Sequence, residues 1–276
     1  MNIYFNKGFE RIFGTYPLTG EVLRQALEYA AEAGYRAFDT AQQYENEKEI
    51  GEFIASSAIP RNQLCITTKV CPSKFTESKF IRSVEESLKS LQLDTIDILL
   101  VHWPPVGGDI KLSLELLEKA YHQGLAKNIG VSNYTVQMMR DTLNIINAPV
   151  VINQVEYHPL IDQSVLLKAA AETGIPLSSY CSLARAEVPK RPIFDEIGRT
   201  YGKSGNQIAL RWILQKGVPV ITMSTKLDNI RANFDVMDFT LSSIDMDRIE
   251  ALTVANYRVI TLKEAPWAPK WDMPCS

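Results

Sequence analysis

The chain has 276 residues, of which 46% are hydrophobic and 22% charged, as is typical of a globular enzyme. Its formal net charge of -3 gives no electrostatic reason to expect nucleic acid or an anionic membrane as a partner. No apolar run approaches the roughly 20 residues that cross a bilayer, and the start lacks the charged-then-apolar layout of a signal peptide, so a cytoplasmic protein is predicted.

The chain opens with "NIYFNKGFERI", which predicts a short β-hairpin with "NKG" as its turn. A weak strand follows at "RIFGTY", and then a helix at "TGEVLRQALEYAAEAG", from Thr19 as a candidate cap to Gly34 as a stop. A later helix, "SGNQIALRWILQKG", runs from Ser204 to Gly217 by the same rules. Between such helices, β-rich runs occur in order at "RAFDT", "LCITTKV", "DILLVHW", "AKNIGVS", "VVINQVEY", "PLSSYC" and "VPVITMS".

Eight strands alternating with helices, at a repeat of roughly 20 to 40 residues, predict a closed (β/α)₈ TIM barrel of the α/β class. Such a barrel commonly takes about 250 residues, so residues 1–276 are interpreted as one domain. An open doubly wound sheet is the rival fold, but the G-x-G-x-x-G of its dinucleotide-binding form is missing. The predicted hairpin would plug the N-terminal end of the barrel. The tail "EAPWAPKWDMPCS" either covers the mouth or packs on the exterior.

Polar side chains stand at the ends of three predicted strands. Because side chains alternate along a strand, Lys69 shares a face with Cys65 and Thr67, opposite the more apolar face of "LCITTKV". The same alternation turns His102 inward and places Asp39 on the face of its strand that carries Ala37. Asp39, Lys69 and His102 are therefore predicted to meet at the C-terminal mouth, where barrel enzymes keep their chemistry.

Each of these residues also has a structural interpretation. Asp39 can be a cap or a turn residue, Lys69 can extend to solvent, and His102 can be a packing residue. Tyr44, in the loop "DTAQQYENE", can simply cover the core. If the four converge, however, Asp39 would hold the Lys69 ammonium, and that ammonium would lower the pKa of the Tyr44 phenol toward the useful range. His102 would donate a hydrogen bond to a carbonyl oxygen.

An ordered series of motifs carries a resemblance to a known family. "FDTAQQY", "TTK", "LLVHWP", "IGVSN", "NQVEYHP" and "PVI..S" resemble those of the aldo-keto reductases, in that order and at comparable spacing. The similarity extends from about Phe13 to Asp238, and it is greatest to compact bacterial members of the 2,5-diketo-D-gluconate reductase type. One such motif would be weak, whereas the ordered series is specific.

The resemblance implies NAD(P)H-dependent reduction of a small aldehyde or ketone, such as a keto-sugar or an α-dicarbonyl, to the alcohol. It makes Tyr44 the proton donor, with Asp39, Lys69 and His102 completing the catalytic set. It implies NADPH, with NADH as a possible second cofactor, bound across the mouth by Gly14, Thr15, Asp39, Ser132, Asn133, Gln154, Tyr180, Cys181, Leu183, Ser224, Thr225, Lys226, Asn229 and Asn233. The substrate pocket is predicted from Tyr16, Tyr44, His102 and Trp103. Taken singly, Ser132–Asn133 can equally form a turn and Tyr180 can pack in the core.

The sequence departs from the family pattern at several positions. Met223 and Asn229 stand where lysine and arginine are common, which removes two cations that would hold the 2′-phosphate of NADPH. Lys226 can substitute in part, and we expect reduced NADPH selectivity. Glu45 replaces a common glycine, and Cys181 a common serine.

Two other functional classes stay open at this point. A metal-dependent barrel hydrolase would need clustered ligands, but no H-x-H occurs and the four cysteines lack ligand spacing, so no metal is predicted. A non-catalytic nicotinamide-binding regulatory subunit is the second alternative. The predicted partner is a small carbonyl substrate, and the chain is expected to be a monomer.

Overall fold

The structure is a computed structural model that describes residues 2–272. Eight parallel strands form a closed barrel in chain order, with the first strand hydrogen-bonded to both the second and the last. The predicted (β/α)₈ barrel is therefore confirmed. Its strands, β1 to β8, are Arg11–Gly14, Ala37–Asp39, Cys65–Val70, Ile98–Val101, Ile129–Ser132, Val150–Glu156, Leu177–Tyr180 and Val220–Thr222.

Helices surround the barrel and connect successive strands. Those in the described part of the chain, α1 to α11, are Ile3–Asn6, Gly20–Ala33, Glu47–Ser56, Phe80–Leu91, Lys111–His122, Val136–Ile145, Ser164–Thr173, Pro192–Tyr201, Gly205–Gln215, Leu227–Phe234 and Ser243–Glu250. None of the helices within residues 2–272 is both long enough and apolar enough to span a bilayer.

The helix boundaries follow from capping chemistry. Ser204 caps α9 with a full capping box, in which its side chain accepts from the Gln207 amide and the Gln207 side chain accepts in return from the Ser204 amide. Gly34 ends α2 with φ of 110°, a left-handed conformation that glycine adopts without a side-chain clash. Both ends lie where the sequence places them.

The predicted N-terminal hairpin is wrong. Residues Ile3–Asn6 form a short helix, which begins where the Asn2 side chain accepts a hydrogen bond from the Tyr4 amide. The main-chain hydrogen bonds of this segment are helical or local instead: the Asn6 amide donates to the Asn2 carbonyl oxygen at 3.2 Å, and the Phe9 amide donates to the Tyr4 carbonyl oxygen at 2.7 Å. The helix instead directs Tyr4 into the barrel, where its hydroxyl lies 2.8 Å from Thr67 Oγ1.

The barrel interior contains the residues that strand alternation predicts to face inward. One apolar cluster joins Tyr4 to inward-facing side chains of six strands, namely Ile12, Ala37, Cys65, Ile98, Leu100, Ile152 and Ile221. Their neighbours Ile66, Val70, Leu99 and Val101 pack outward in the clusters that contain helix residues. The apolar part of the interior thus lies below the polar ends of the strands.

The C-terminal segment crosses the mouth of the barrel. Trp267 packs edge-to-face on Trp103, with ring centroids 6.3 Å apart, and Trp271 lies 6.1 Å from the same ring. The prediction that the tail covers the mouth is therefore confirmed for the described residues. Positions 273–276, which include Cys275, lie outside them. Cys65, Cys71 and Cys181 are free thiols.

Helices α3 and α4 approach closely at one glycine. A Cβ atom placed on Gly51 would lie 2.3 Å from the Ser90 carbonyl oxygen and 2.7 Å from the Leu91 carbonyl carbon. Both are backbone atoms, so the contact cannot be relieved by a side-chain rotation. The glycine therefore sets the distance between the two helices.

We expect Gly51→Ala to destabilise the fold by about 2–3 kcal/mol because the methyl group overpacks this contact. Helix propensity alone predicts the opposite sign, a gain of about 1 kcal/mol. Urea unfolding followed by circular dichroism measures the difference, with the exposed Ser56→Ala in the same helix as the control. A stability equal to or above that of the wild type would contradict the close approach.

Candidate active site

A cavity of about 1050 Å³ opens at the C-terminal ends of the strands. It is lined by thirteen of the residues predicted for catalysis, cofactor or substrate, which are Gly14, Thr15, Tyr16, Asp39, Tyr44, His102, Trp103, Ser132, Asn133, Gln154, Tyr180, Cys181 and Leu183. Lys69 lies beneath this surface, and five predicted cofactor residues after β8 are not in the lining, namely Ser224, Thr225, Lys226, Asn229 and Asn233. The structure thus brings most, but not all, of the predicted residues together.

An ion pair between Lys69 and Asp39 forms the floor of the cavity. The Lys69 ammonium contacts Asp39 Oδ1 and donates to the Thr40 carbonyl oxygen at 2.8 Å, and the lysine is fully buried. The second oxygen of Asp39 accepts from Gln154 Nε2 at 2.8 Å. Burial lowers the pKa of Lys69, and the Asp39 carboxylate opposes that shift. The carboxylate therefore offsets part of the cost of burying the cation.

Tyr44 stands above this pair in the short helical turn Gln42–Tyr44 that follows β2. Its ring centre lies 5.2 Å from the Lys69 ammonium nitrogen and 5.6 Å from the His102 ring centre. Burial raises the pKa of the Tyr44 phenol well above its usual value, and the Asp39 carboxylate adds to that rise.

The expectation that Lys69 lowers the pKa of Tyr44 is therefore wrong for the protein without ligand. Burial of the phenol has the largest effect on its pKa, and the Asp39 carboxylate acts in the same direction. Glu45, the additional acidic residue beside Tyr44, has an exposed side chain and a left-handed backbone with φ of 55°.

His102 immediately follows β4 and is kept neutral by its surroundings. Burial lowers the pKa of its imidazole well below the usual value, and the nearby Lys69 cation lowers it further. Asn133 Nδ2 donates to the His102 carbonyl oxygen at 3.1 Å and so ties the end of β4 to the end of β5. Nδ1 of His102 is buried and has no hydrogen-bond partner within residues 2–272. A neutral imidazole keeps one N–H that can donate to a ligand.

A chain of hydrogen bonds joins the polar residues on the far side of the cavity. Tyr180 donates its hydroxyl to Asn133 Oδ1 at 2.7 Å, and Asn133 Nδ2 lies 3.1 Å from Ser132 Oγ. Ser132 in turn donates to the Gln154 carbonyl oxygen at 2.8 Å, and the Gln154 side chain reaches Asp39. These side chains are held in place before any ligand binds.

The loop after β7 has an unusual backbone. Ala184, Arg185 and Ala186 all have positive φ, at 49°, 49° and 69°, and Cys181 has φ of 50°. Left-handed conformations cost roughly 1–2 kcal/mol for each residue with a side chain, and they concentrate at functional sites. Burial raises the pKa of the Cys181 thiol to about 12, so it stays protonated at neutral pH.

The segment after β8 forms the outer rim of the cavity. Met223 lines the cavity and is 41% exposed, and Lys226 and Asn229 are also exposed. The Arg231 guanidinium, on α10, is paired with Glu32 of α2 at 2.5 Å, and both side chains are exposed.

Several lining residues are missing from the sequence-based prediction. These are Gln43, Arg185, Asn206 and Glu264, together with apolar residues such as Ile260 and Ala265. Asn206 lies in the first turn of α9, and its buried Oδ1 has no hydrogen-bond partner within residues 2–272. The capping motif at Ser204 predicts the start of α9, but only the closed barrel shows that this start faces the cavity.

Comparisons with known proteins agree with this arrangement. The family model described as "Aldo/keto reductase family" matches residues 12–254. Methylglyoxal reductase DkgB of Salmonella typhi is 35% identical over 262 residues, which cover 94% of this chain and 97% of that protein.

Solved structures give the same result. A crystal structure of a candidate 2,5-diketo-D-gluconic acid reductase B has a TM-score of 0.92 at 36% identity and covers 96% of this chain and 94% of its own. The Bombyx mori aldo-keto reductase AKR2E4, solved in complex with NADP, has a TM-score of 0.84 at 29% identity, with 95% and 94% of the two chains covered. The chain therefore belongs to the aldo/keto reductase family and is an NAD(P)H-dependent oxidoreductase that acts on carbonyl groups.

Proposed function

We propose that the protein reduces small α-dicarbonyls or keto-sugars to alcohols with NADPH, and that Tyr44 donates the proton. The observation that carries this proposal is the position of Tyr44 and His102 in the cavity, directly above the buried Lys69–Asp39 pair. A proton donor, a hydrogen-bond donor and a fixed cation are the groups that a carbonyl needs as its oxygen becomes negative.

The residues present fit a nicotinamide cofactor. A cavity of about 1050 Å³ is large for a single small ligand. Its far wall offers the fixed Asn133 and Gln154 amides beside the Tyr180 ring, a donor and acceptor set that suits a carboxamide on a flat ring. The Asn206 Oδ1 atom, which is buried and has no partner in the described part of the chain, adds an acceptor at the start of α9. When bound, the reduced nicotinamide supplies the hydride.

Tyr44 holds and delivers the proton. Because its pKa is raised, the phenol is fully protonated at neutral pH. As negative charge develops on the carbonyl oxygen, the Tyr44 O–H bond breaks and the proton passes to that oxygen. The Lys69 ammonium, 5.2 Å from the ring centre, stabilises the phenolate that remains. The neutral imidazole of His102 donates a hydrogen bond to the same oxygen and orients it.

The walls at the substrate end of the cavity are aromatic. Tyr16 and Trp267, both partly exposed, border the cavity together with Trp103, so the substrate end is aromatic and open to solvent. The names of the similar proteins, methylglyoxal reductase and 2,5-diketo-D-gluconic acid reductase B, refer to compounds with adjacent or multiple carbonyls. Turnover against a panel of aldehydes, α-dicarbonyls and keto-sugars, with NADPH and with NADH, tests the proposed class directly.

The rim after β8 bears on cofactor preference. Met223 offers no charge to a 2′-phosphate, and Arg231 is already paired with Glu32. Lys226 is the exposed cation that remains in this segment, beside the N-terminus of α10, which can itself receive phosphate. We therefore propose that NADPH is preferred only modestly and that NADH also supports turnover.

Removal of the Tyr44 hydroxyl tests its role as proton donor. We expect Tyr44→Phe to lower kcat by about 10²–10⁴-fold, the usual contribution of a positioned general acid. The dissociation constant for NADPH, measured by fluorescence titration, should change little because the ring remains. The control is Tyr121→Phe, which removes a hydroxyl from a tyrosine of α5 that does not line the cavity, and it should keep turnover near normal. Near-normal turnover in Tyr44→Phe would exclude the assigned role.

The raised pKa of Tyr44 gives a second prediction. In the protein without cofactor, Tyr44 should stay a neutral phenol up to and beyond its ordinary pKa of about 10. Ultraviolet difference titration compares the wild type with Tyr44→Phe. Below that pH, the wild type should show no more tyrosinate absorbance than the variant. A difference signal with a midpoint well below pH 10 would show that Lys69 does acidify the phenol.

The rim gives a third prediction. Met223→Lys should raise the ratio of kcat/KM with NADPH to that with NADH by about tenfold, which corresponds to one charge-assisted hydrogen bond to the 2′-phosphate. The control is Met237→Lys, because that methionine is equally exposed, at 41%, and does not line the cavity. A strong NADPH preference in the wild type, unchanged in Met223→Lys, would contradict the proposal.

A further inference from the structure

The carboxylate of Glu156 lies at the point where the C-terminal segment meets the barrel. Glu156 is the last residue of β6, two positions beyond Gln154 and therefore on the same face of the strand. Its Oε1 accepts from the Val259 amide at 2.6 Å, and its Oε2 from the Ile260 amide at 2.9 Å. A buried carboxylate of the barrel thus binds two consecutive backbone amides of the segment.

A histidine completes this site. His158 Nε2 lies 2.9 Å from Glu156 Oε1, and both side chains are fully buried. The Leu160 amide donates to His158 Nδ1 at 3.3 Å, so Nδ1 is the acceptor and Nε2 carries the proton that is donated to Glu156. Burial alone would raise the pKa of Glu156, but the hydrogen bonds from His158 and from the two amides outweigh burial and lower it. The group is therefore an anion held by three donors.

The segment beyond this point forms part of the cavity wall. Ile260, Glu264, Ala265 and Trp267 all line the cavity, and Trp267 packs on Trp103, the residue after His102. The segment is fixed a second time at Asp272, whose Oδ2 accepts from the Val136 amide at the start of α6 at 2.9 Å. Residues 260–271 consequently span the mouth between two carboxylate–amide contacts.

We propose that Glu156 is a positioning residue that sets the substrate-facing wall of the cavity by holding the C-terminal segment at Val259 and Ile260. The expected change in KM rests on the proposed function, whereas the attachment of the segment by Glu156 does not. Glu156 does not line the cavity, so it acts through Ile260, Ala265 and Trp267. Its loss leaves Tyr44, Lys69, Asp39 and His102 in place and loosens the wall that contacts the substrate.

The test is Glu156→Gln, which keeps the side-chain shape and removes the charge. We expect KM for the best carbonyl substrate to rise about tenfold, because loss of the charge weakens the hydrogen bonds that hold the substrate-facing wall. We expect kcat to fall by less than about threefold, because these hydrogen bonds lie away from the reacting atoms. Asp162→Asn is the matched control, because that carboxylate lies in the loop that follows β6 and, within residues 2–272, accepts a hydrogen bond from the Ser164 amide of α7 alone. A fall in kcat with KM unchanged would overturn the proposal.

Hydrogen exchange followed by mass spectrometry separates this inference from the proposed reaction. In Glu156→Gln, the segment that contains Val259 and Ile260 should exchange about tenfold faster, while β3 and β5 keep their protection. Unchanged exchange of the segment would show that Glu156 does not hold it, whether or not any carbonyl is reduced. Failure of the wild type to reduce any carbonyl would overturn the proposed function alone.

A second variant covers the case in which Glu156→Gln does not fold. Val259→Pro removes one amide donor from the segment and leaves the barrel sequence intact. It should raise KM and segment exchange in the same direction as Glu156→Gln. Wild-type KM and exchange in Val259→Pro would contradict the proposal as well.

Discussion

The site depends on a buried lysine whose charge is balanced by a single carboxylate. Lys69 is fully buried on β3, and Asp39 at the end of β2 supplies the compensating charge. An unpaired ammonium there would be prohibitively unfavourable. The β2–β3 register pairs Asp39 with Thr67, two positions before Lys69 on the same face of β3, and this brings the carboxylate within reach of the ammonium. Gln154 of β6 reaches the second oxygen of Asp39 across the barrel and donates to it at 2.8 Å. The floor of the cavity is thus rigid before any ligand arrives.

The Asp39 carboxylate that balances the Lys69 charge also affects the Tyr44 phenol above it. The same carboxylate that makes Lys69 tolerable raises the pKa of the Tyr44 phenol and so opposes formation of the phenolate. In the protein without ligand, burial and Asp39 together keep the phenol protonated, which is the form that the proposed role of proton donor requires. The neutral His102, held by burial and by the same lysine, keeps an N–H to offer to the carbonyl. Burial is the main influence on the protonation state of both groups, and the ion pair reinforces it through Asp39 at Tyr44 and through Lys69 at His102.

The sequence predicts the features that arise from local patterns. Strand alternation correctly assigned the faces of β3 and β4, and the capping box at Ser204 placed the start of α9. The prediction of a hairpin before β1 is wrong because the "NKG" turn signal does not reveal that Asn2 caps a short helix at the same place. The predicted lowering of the Tyr44 pKa is wrong because the shift depends on the degree of burial, which the sequence does not show. Asn206 and Glu264 are not among the predicted site residues because their position at the cavity depends on how distant elements pack.

The C-terminal segment is attached to the barrel through its main chain, whereas its side chains line the cavity. Glu156 binds the main-chain N–H groups of Val259 and Ile260, and every amino acid except proline carries such a group. Side chains such as Ala265 and Trp267 can therefore be exchanged without disturbing the anchor. A scaffold of this kind lets new specificities arise by substitution within a dozen positions, while the barrel that performs the reaction is inherited unaltered.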